Sequence, residues 1–273
     1  MNKYINQLMQ MQDFEITLRE NEVMRSVDAK DNKAAIEELK ESISRFKKGM
    51  PDEIISIYDL ISKKYDVCVC PMINSTCTGC SIKLPIGIGK TVMSDSQCVS
   101  CPNCGRFLYY DDAQMQRPDD ALHYKGIARF SSPNLMLPSI DVKSKEEAIV
   151  AMGHLSASAG FVEDGENFIQ ALLKRDALVS TCVGSGMAFP HARGIRACGL
   201  TLAVGICKNG INVGEEEPLQ LFFVSAVPTQ TSVFYIELVS KLARYFGKNE
   251  NREKLIACEN ADDMWKIMVK IGR

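Results

Sequence analysis

The chain has 273 residues, of which 46% are hydrophobic, 24% charged and 7% aromatic, the composition of a globular protein of one or two domains. Lys and Arg number 32 against 34 Asp and Glu, so a net charge of −2 supplies no bulk basic field for nucleic acid or an anionic membrane. No apolar run approaches the roughly 20 residues of a membrane span, and Met1-Asn2-Lys3-Tyr4 opens without the apolar core of a signal peptide, so the expectation is a soluble, cytoplasmic protein.

Residues 1–66 hold 11 Lys and Arg against 13 Asp and Glu, with no Cys. Ile36, Leu39, Ile43 and Phe46 follow helical spacing, as do Ile54, Ile57 and Ile61. Tyr4, Leu8, Met11 and Leu18 make a weaker stripe that Glu15 interrupts. Gly49-Met50-Pro51-Asp52 closes one helix and opens the next. The expectation is a helical hairpin or coiled coil, serving either as a homodimerisation arm or as a cap on its own chain. Residues 67–110 change texture to short β-type runs with Gly and Cys, and residues 111–133, rich in Asp, Pro and Ser, read as a linker that includes Leu122, Tyr124, Ile127 and Phe130.

From 134 to 273 helical and strand signals alternate, which implies a layered α/β domain. Ser144-Lys-Glu-Glu147 is a capping box opening an Ala-rich helix to about Ala159. A helix over Gly165–Lys174 follows, then buried strands at 200–207 and 219–227, a helix from Ser232 to Phe246 and two short helices, the last after Asn260.

Of the 11 Cys, seven fall between Cys68 and Cys104, which in a reducing compartment suggests metal. Cys77-Thr-Gly-Cys80 and Cys101-Pro-Asn-Cys104 are CxxC pairs 20 residues apart. Two such turns supply four thiolates to a closed tetrahedral site, the preference of structural zinc, with Gly79 and Gly105 where each knuckle bends. Cys98 overlaps the second pair, and the roles of Cys68, Cys70 and Cys98 stay open. Together with Ser81-Ile-Lys-Leu-Pro85 and Gly105-Arg-Phe-Leu-Tyr109, these pairs resemble the C4-type zinc ribbon that ends bacterial coiled-coil proteins, in which a helical hairpin precedes the ribbon. The resemblance implies bound Zn2+ and a scaffold or nucleic-acid-associated role. Lys83, Lys90 and Arg106 against Asp95 fall short of the dense basic patch that nucleic-acid binding needs.

Of three His, His123 and His154 carry no assigned role. His191 follows Gly184-Ser-Gly-Met-Ala-Phe-Pro190 and precedes Ala192-Arg193. The glycines allow an anion nest, Arg175 and Arg193 can grip a phosphate, and Thr181 and Ser185 offer hydroxyls. A neutral, reachable imidazole in such a cradle suits phosphoryl transfer. The run Leu172-Leu-Lys-Arg175 through Thr181, Gly184-Ser185-Gly186 and Pro190-His191-Ala-Arg193 resembles the fructose/mannitol-type enzyme IIA domain of the bacterial phosphoenolpyruvate-dependent phosphotransferase system, a family that includes the nitrogen-regulatory enzyme IIA. The resemblance implies an α/β/α three-layer domain with a mixed sheet, His191 as phospho-acceptor from HPr or a paralogue, and Arg175, Thr181, Ser185, Gly186 and Arg193 around the phosphate. Tyr235 stands where the family places a second histidine. The function so implied is regulatory phosphocarriage to a partner protein. The alternatives are sugar uptake with transfer to a IIB domain, or a zinc-ribbon scaffold with a vestigial enzyme IIA domain.

Overall fold

The computed structural model describes residues 2–25, 33–111, 125–214 and 216–271. Within the described residues the chain forms two compact units, residues 2–21 with 33–111, and residues 22–25 with 125–214 and 216–271. His123, Leu122, Tyr124 and most of the expected linker lie outside those residues.

The N-terminal unit carries three helices, α1 (Lys3–Arg25), α2 (Lys33–Lys48) and α3 (Asp52–Ser62). A four-stranded sheet follows, made of β1 (Val69–Ile73), β2 (Thr76–Cys77), β3 (Val99–Ser100) and β4 (Phe107–Tyr110), with α4 (Ile86–Ser94) inserted between β2 and β3. The strand order is β2-β1-β4-β3, with β1 and β4 parallel and the outer pairs antiparallel. Ile5, Leu8 and Met11 of α1 join Tyr58 and Ile61 of α3, Cys68, Val69 and Phe107 in one core, which covers most of the α1 stripe and part of the α3 stripe from within the chain.

The buried line of α1 runs through Ile5, Leu8, Met11 and Ile16 rather than to Leu18, which is half-buried. It includes the polar Gln12, whose side chain mimics a strand edge. Gln12 Oε1 accepts the N–H groups of Cys68 and Val69 at 2.6 and 2.8 Å, and Nε2 donates to the Val69 carbonyl at 3.1 Å. Glu15, which seemed to break the stripe, accepts the Tyr58 hydroxyl at 2.8 Å. On α3 the buried face is Tyr58 and Ile61, and Ile57 is 44% exposed, because the helix turns its aromatic ring inward.

The C-terminal unit is a mixed five-stranded sheet between helical layers. Its elements are β5 (Met136–Leu137), α5 (Lys145–Ser158), α6 (Gly165–Leu178), β6 (Met187–Ala188), β7 (His191–Arg193), β8 (Ala203–Ile211), β9 (Leu219–Val227), α7 (Ser232–Phe246), α8 (Asn249–Ile256) and α9 (Ala261–Ile271). The order is β5-β8-β9-β6, with β7 also on β9. Only β8 and β9 are antiparallel; β5 lies parallel to β8, and β6 and β7 parallel to β9.

Alternation along β9 divides the core. Leu221, Phe223 and Val227 face α7 and α9, whereas Phe222, Val224 and Ala226 face α5 and α6. The expected cap forms: Ser144 Oγ accepts the Glu147 N–H at 3.1 Å, and the Glu147 carboxylate reaches one residue beyond the N-cap to accept the Lys143 N–H at 2.8 Å. Ile127 and Phe130, within the segment read as linker, are buried in the α7-side core, and the Phe130 carbonyl accepts the Leu202 N–H at 2.8 Å. Among the described residues no helix is long and apolar enough to cross a membrane.

Gln12→Ala should destabilise the N-terminal unit by about 3 kcal/mol, because it leaves buried backbone groups of Cys68 and Val69 unpaired. Urea unfolding followed by a probe in that unit checks this, and a change within error of zero would contradict the clamp.

Candidate functional site

Two groupings of chemically able side chains stand out. In the N-terminal unit, the sulfurs of Cys77, Cys80, Cys101 and Cys104 all lie within 4.8 Å of one another. Cys77 and Cys104 are 3.8 Å apart, and Cys80 and Cys101 3.7 Å. A tetrahedron with metal–sulfur bonds of about 2.3 Å has edges of about 3.8 Å, so the donor set can hold a metal ion. Each knuckle closes with an N–H to the first cysteine's carbonyl, Ser81 to Cys77 at 2.8 Å and Gly105 to Cys101 at 2.9 Å. The left-handed residue is the one after the second cysteine, Ser81 (φ 59°) and Gly105 (φ 78°). Gly79 therefore does not make the bend. It is small because a Cβ there would come within 2.7 Å of Arg106 Nη1.

The Arg106 guanidinium stacks 3.7 Å from the Tyr65 ring centre and bonds the carbonyls of Val67 and Gly79, which fixes the knuckle to the sheet. Burial pushes the Cys104 thiol up to about 12. Burial also acts against the Cys80 thiolate, but hydrogen bonds from Asn103, the Ile82 N–H and neighbouring thiols outweigh it and bring that thiol down to about 6. Cys98 stands outside the cluster, with its thiol 3.6 Å from Asn2 Oδ1. Cys68 belongs to the apolar core, and Cys70 places its sulfur 3.7 Å from that of Cys77.

In the C-terminal unit, residues 181–189 form a β-hairpin, with the Val183 N–H on the Met187 carbonyl and the Phe189 N–H on the Thr181 carbonyl. Its outgoing strand continues along β9 past Pro190, whose carbonyl accepts the Ser225 N–H at 3.0 Å. His191 then lies directly opposite Ser225 in the parallel β7–β9 ladder, near the carboxyl end of β9.

The His191 ring approaches the Phe189 carbonyl oxygen with Nδ1, at 3.1 Å. A carbonyl can only accept, so Nδ1 carries the hydrogen, and in the neutral ring Nε2 is then the acceptor nitrogen. Arg193, two residues on, shares the face of His191, and its Nε donates to Ser232 Oγ at 3.2 Å. Ser232 opens α7, whose N-cap residue Thr231 makes no side-chain capping bond. Helix start and guanidinium together favour negative charge at this edge.

Four sequence expectations need revision. The imidazole is not reachable in the resting fold: His191 is 0% exposed and Tyr235 1%. The first turns of α7 lay Tyr235 over the ring, with ring centres 4.9 Å apart. Thr181 is 1% exposed, and its hydroxyl and N–H both donate to Asp176 Oδ1, so it shapes the hairpin. Ser185 and Gly186 are not brought to the histidine. They form a left-handed turn with Gly184, φ 79°, 50° and 65° in chain order, at the far end of the hairpin. There the Gly186 carbonyl accepts the N–H groups of Gln220 and Leu221. The four strand steps from Leu221 to Ser225 span about 13 Å, too far for a nest around His191. Gly186 is glycine because a Cβ would meet the Pro218 carbonyl oxygen at 2.6 Å. Arg175 Nη1 donates to the Val179 carbonyl at 2.9 Å, at the hairpin end that holds Thr181.

The sequence reading also missed Asp176, Lys145 and Ser232. Asp176 binds Thr181 and takes a 2.7 Å ion pair from Lys145 Nζ, with the two side chains 13% and 9% exposed. The spacing of Asp176 five residues before Thr181, at a helix end, was the available signal. The partner Lys145 is 31 positions upstream of Asp176, and the sequence carries no local sign of that contact.

The C-terminal unit is thus an α/β/α fold that sets one buried imidazole near a guanidinium and a helix start. Residues 129–271, just over half of the chain, match the family described as phosphoenolpyruvate-dependent sugar phosphotransferase system, EIIA 2, and the chain belongs to that family. It is similar to the fructose-specific EIIA component of Haloferax volcanii, 28% identical over 130 residues that cover 47% of this chain and 84% of the relative. It is also similar to the fructose-specific EIIABC component of Bacillus subtilis, 29% identical over 132 residues, 48% of this chain and 21% of the relative, so the chain spans about a fifth of that protein's length. Among solved structures it is similar to the nitrogen regulatory protein IIA-Ntr of Neisseria meningitidis, with 24% identity, a TM-score of 0.46 and coverage of 51% of this chain and 96% of the other.

Asp176→Ala should cost the C-terminal unit about 3 kcal/mol, because it strands a buried ammonium. Chemical denaturation measures it, and a loss under about 0.5 kcal/mol would show the pair to be dispensable.

Proposed function

We propose that this chain is a phosphocarrier in which His191 accepts a phosphoryl group from the phosphohistidine of HPr or a paralogue and signals to a partner protein. The observation that carries the reading is the bond from Nδ1 to the Phe189 carbonyl, which leaves Nε2 as the nucleophile within an enzyme IIA family domain. The Nε2 lone pair forms the new N–P bond as the donor's N–P bond breaks and its electron pair returns to the donor imidazole. The Phe189 carbonyl faces the Nδ1–H and offsets the positive charge that builds on the ring. Arg193 and the start of α7 balance the phosphoryl charge. Because Tyr235 covers the ring, acceptance requires the first turns of α7 to withdraw it.

Fusion to a four-cysteine unit supports regulation. A second reading, sugar uptake with onward transfer to a IIB domain, is favoured by the fructose specificity of the relatives from Haloferax volcanii and Bacillus subtilis. Incubation with phosphoenolpyruvate, enzyme I and HPr should give acid-labile phosphate on the wild type and none on His191→Ala. Equal label on the two would contradict the assignment, no label on the wild type would leave the domain a scaffold, and transfer to IIB would select uptake.

Zinc is the ion we assign to Cys77, Cys80, Cys101 and Cys104, where it would act as a structural cross-link. Four thiolates close a tetrahedron and leave no position for a catalytic water. In a small sheet module the bond energy of such a cross-link stands in for a larger core. Metal analysis of Cys101→Ser/Cys104→Ser should show the loss of one zinc per chain, with the loss of the N-terminal unit's cooperative melting. Unchanged zinc would refute the site.

A further inference from the structure

The run Leu219-Gln-Leu-Phe-Phe-Val-Ser225-Ala-Val227 places one hydroxyl near the carboxyl end of a strand that is buried almost throughout. Ser225 is 0% exposed, and among the described residues its Oγ has no hydrogen-bond partner. A buried donor without an acceptor costs stability, so a native fold that keeps one has a use for it.

The placement of Ser225 indicates that use. Phe223 and Val227, two residues to either side, lie in the core on the α7 side, and alternation puts Ser225 on that face with them. His191 is the in-register partner of Ser225 across the parallel ladder, and residues opposite each other on neighbouring strands share a face. The contact of the His191 ring with Tyr235, a member of the same core, agrees with this orientation. Adjacent strands run about 4.8 Å apart, so hydroxyl and imidazole are side by side. At this edge Arg193 is engaged with Ser232, Ser232 with Thr229, and Thr181 with Asp176 in the resting fold.

We propose that Ser225 is a phosphate-contacting residue, whose hydroxyl donates to a phosphoryl oxygen once His191 carries the group and is held unpaired until then. The inference rests on His191 being the phospho-acceptor. It adds that the resting fold stores a small destabilisation which phosphorylation relieves, so that the modified form is favoured by a contact the unmodified form lacks. The ligand chemistry is a tetrahedral phosphoryl anion, and no further covalent step is involved.

Ser225→Ala tests this in the full chain. With no resting bond to lose, the unphosphorylated variant should melt at the wild-type temperature or above it. Its phosphohistidine, followed by acid-labile label after removal of the donor, should hydrolyse roughly tenfold faster, the effect of losing one hydrogen bond to a charged acceptor. A wild-type phosphohistidine lifetime in Ser225→Ala overturns the proposal and leaves His191 standing. So does a lower melting temperature, which would show the hydroxyl already bonded in the resting fold. A wild-type chain that takes no label at all overturns both readings.

Discussion

The pairing of a three-residue strand with the carboxyl end of β9 is the constraint on which the chemistry of this protein depends. Pro190 lacks an N–H and interrupts the edge between β6 and β7, yet both segments keep the same offset against β9. That offset sets His191 opposite Ser225, turns its ring toward α7 and brings the Phe189 carbonyl within reach of Nδ1. A slip of one residue would swing His191 to the α5–α6 side and put Ala192 in its place. The bulky core on both faces of β9 resists such a slip, so the histidine is positioned by the hydrophobic packing along the whole strand.

Much of this architecture was legible because its signals are local. Ser144 and Glu147 mark a helix start through side chains that bond their own turn. The mostly apolar run at 219–227 marks a strand buried on both faces, and β9 has those bounds. The other central strand was displaced: expected at 200–207, it runs from Ala203 to Ile211. The ladder continues through Lys208-Asn209-Gly210, where a register shift and the left-handed Gly210 (φ 68°) carry polar residues past the edge of the core.

What the sequence concealed are contacts between distant residues. A Gly-Ser-Gly turn near a histidine looks like a phosphate cradle in one dimension. The hairpin register carries it to the opposite end of the strands. Tyr235 could be aligned with an expected second histidine, but its place over the ring follows from the angle at which α7 leaves β9. Gln12 and Glu15 read as breaks in an apolar stripe because their use depends on β1 and Tyr58, more than 40 positions away. In the N-terminal unit the same principle holds: a small sheet is assembled from a side-chain amide clamp, an arginine that fastens the first knuckle and four thiols at tetrahedral spacing.

The account of the C-terminal unit turns on which nitrogen of His191 carries the hydrogen. Nitrogen-15 NMR of the imidazole in the full-length chain reads this directly, from the two ring nitrogen shifts and their couplings to the ring protons. The Phe189 bond predicts a protonated Nδ1 and an unprotonated Nε2 before reaction, with phosphorus attached to Nε2 afterwards. A ring that holds its hydrogen on Nε2, or takes phosphate on Nδ1, would contradict the account.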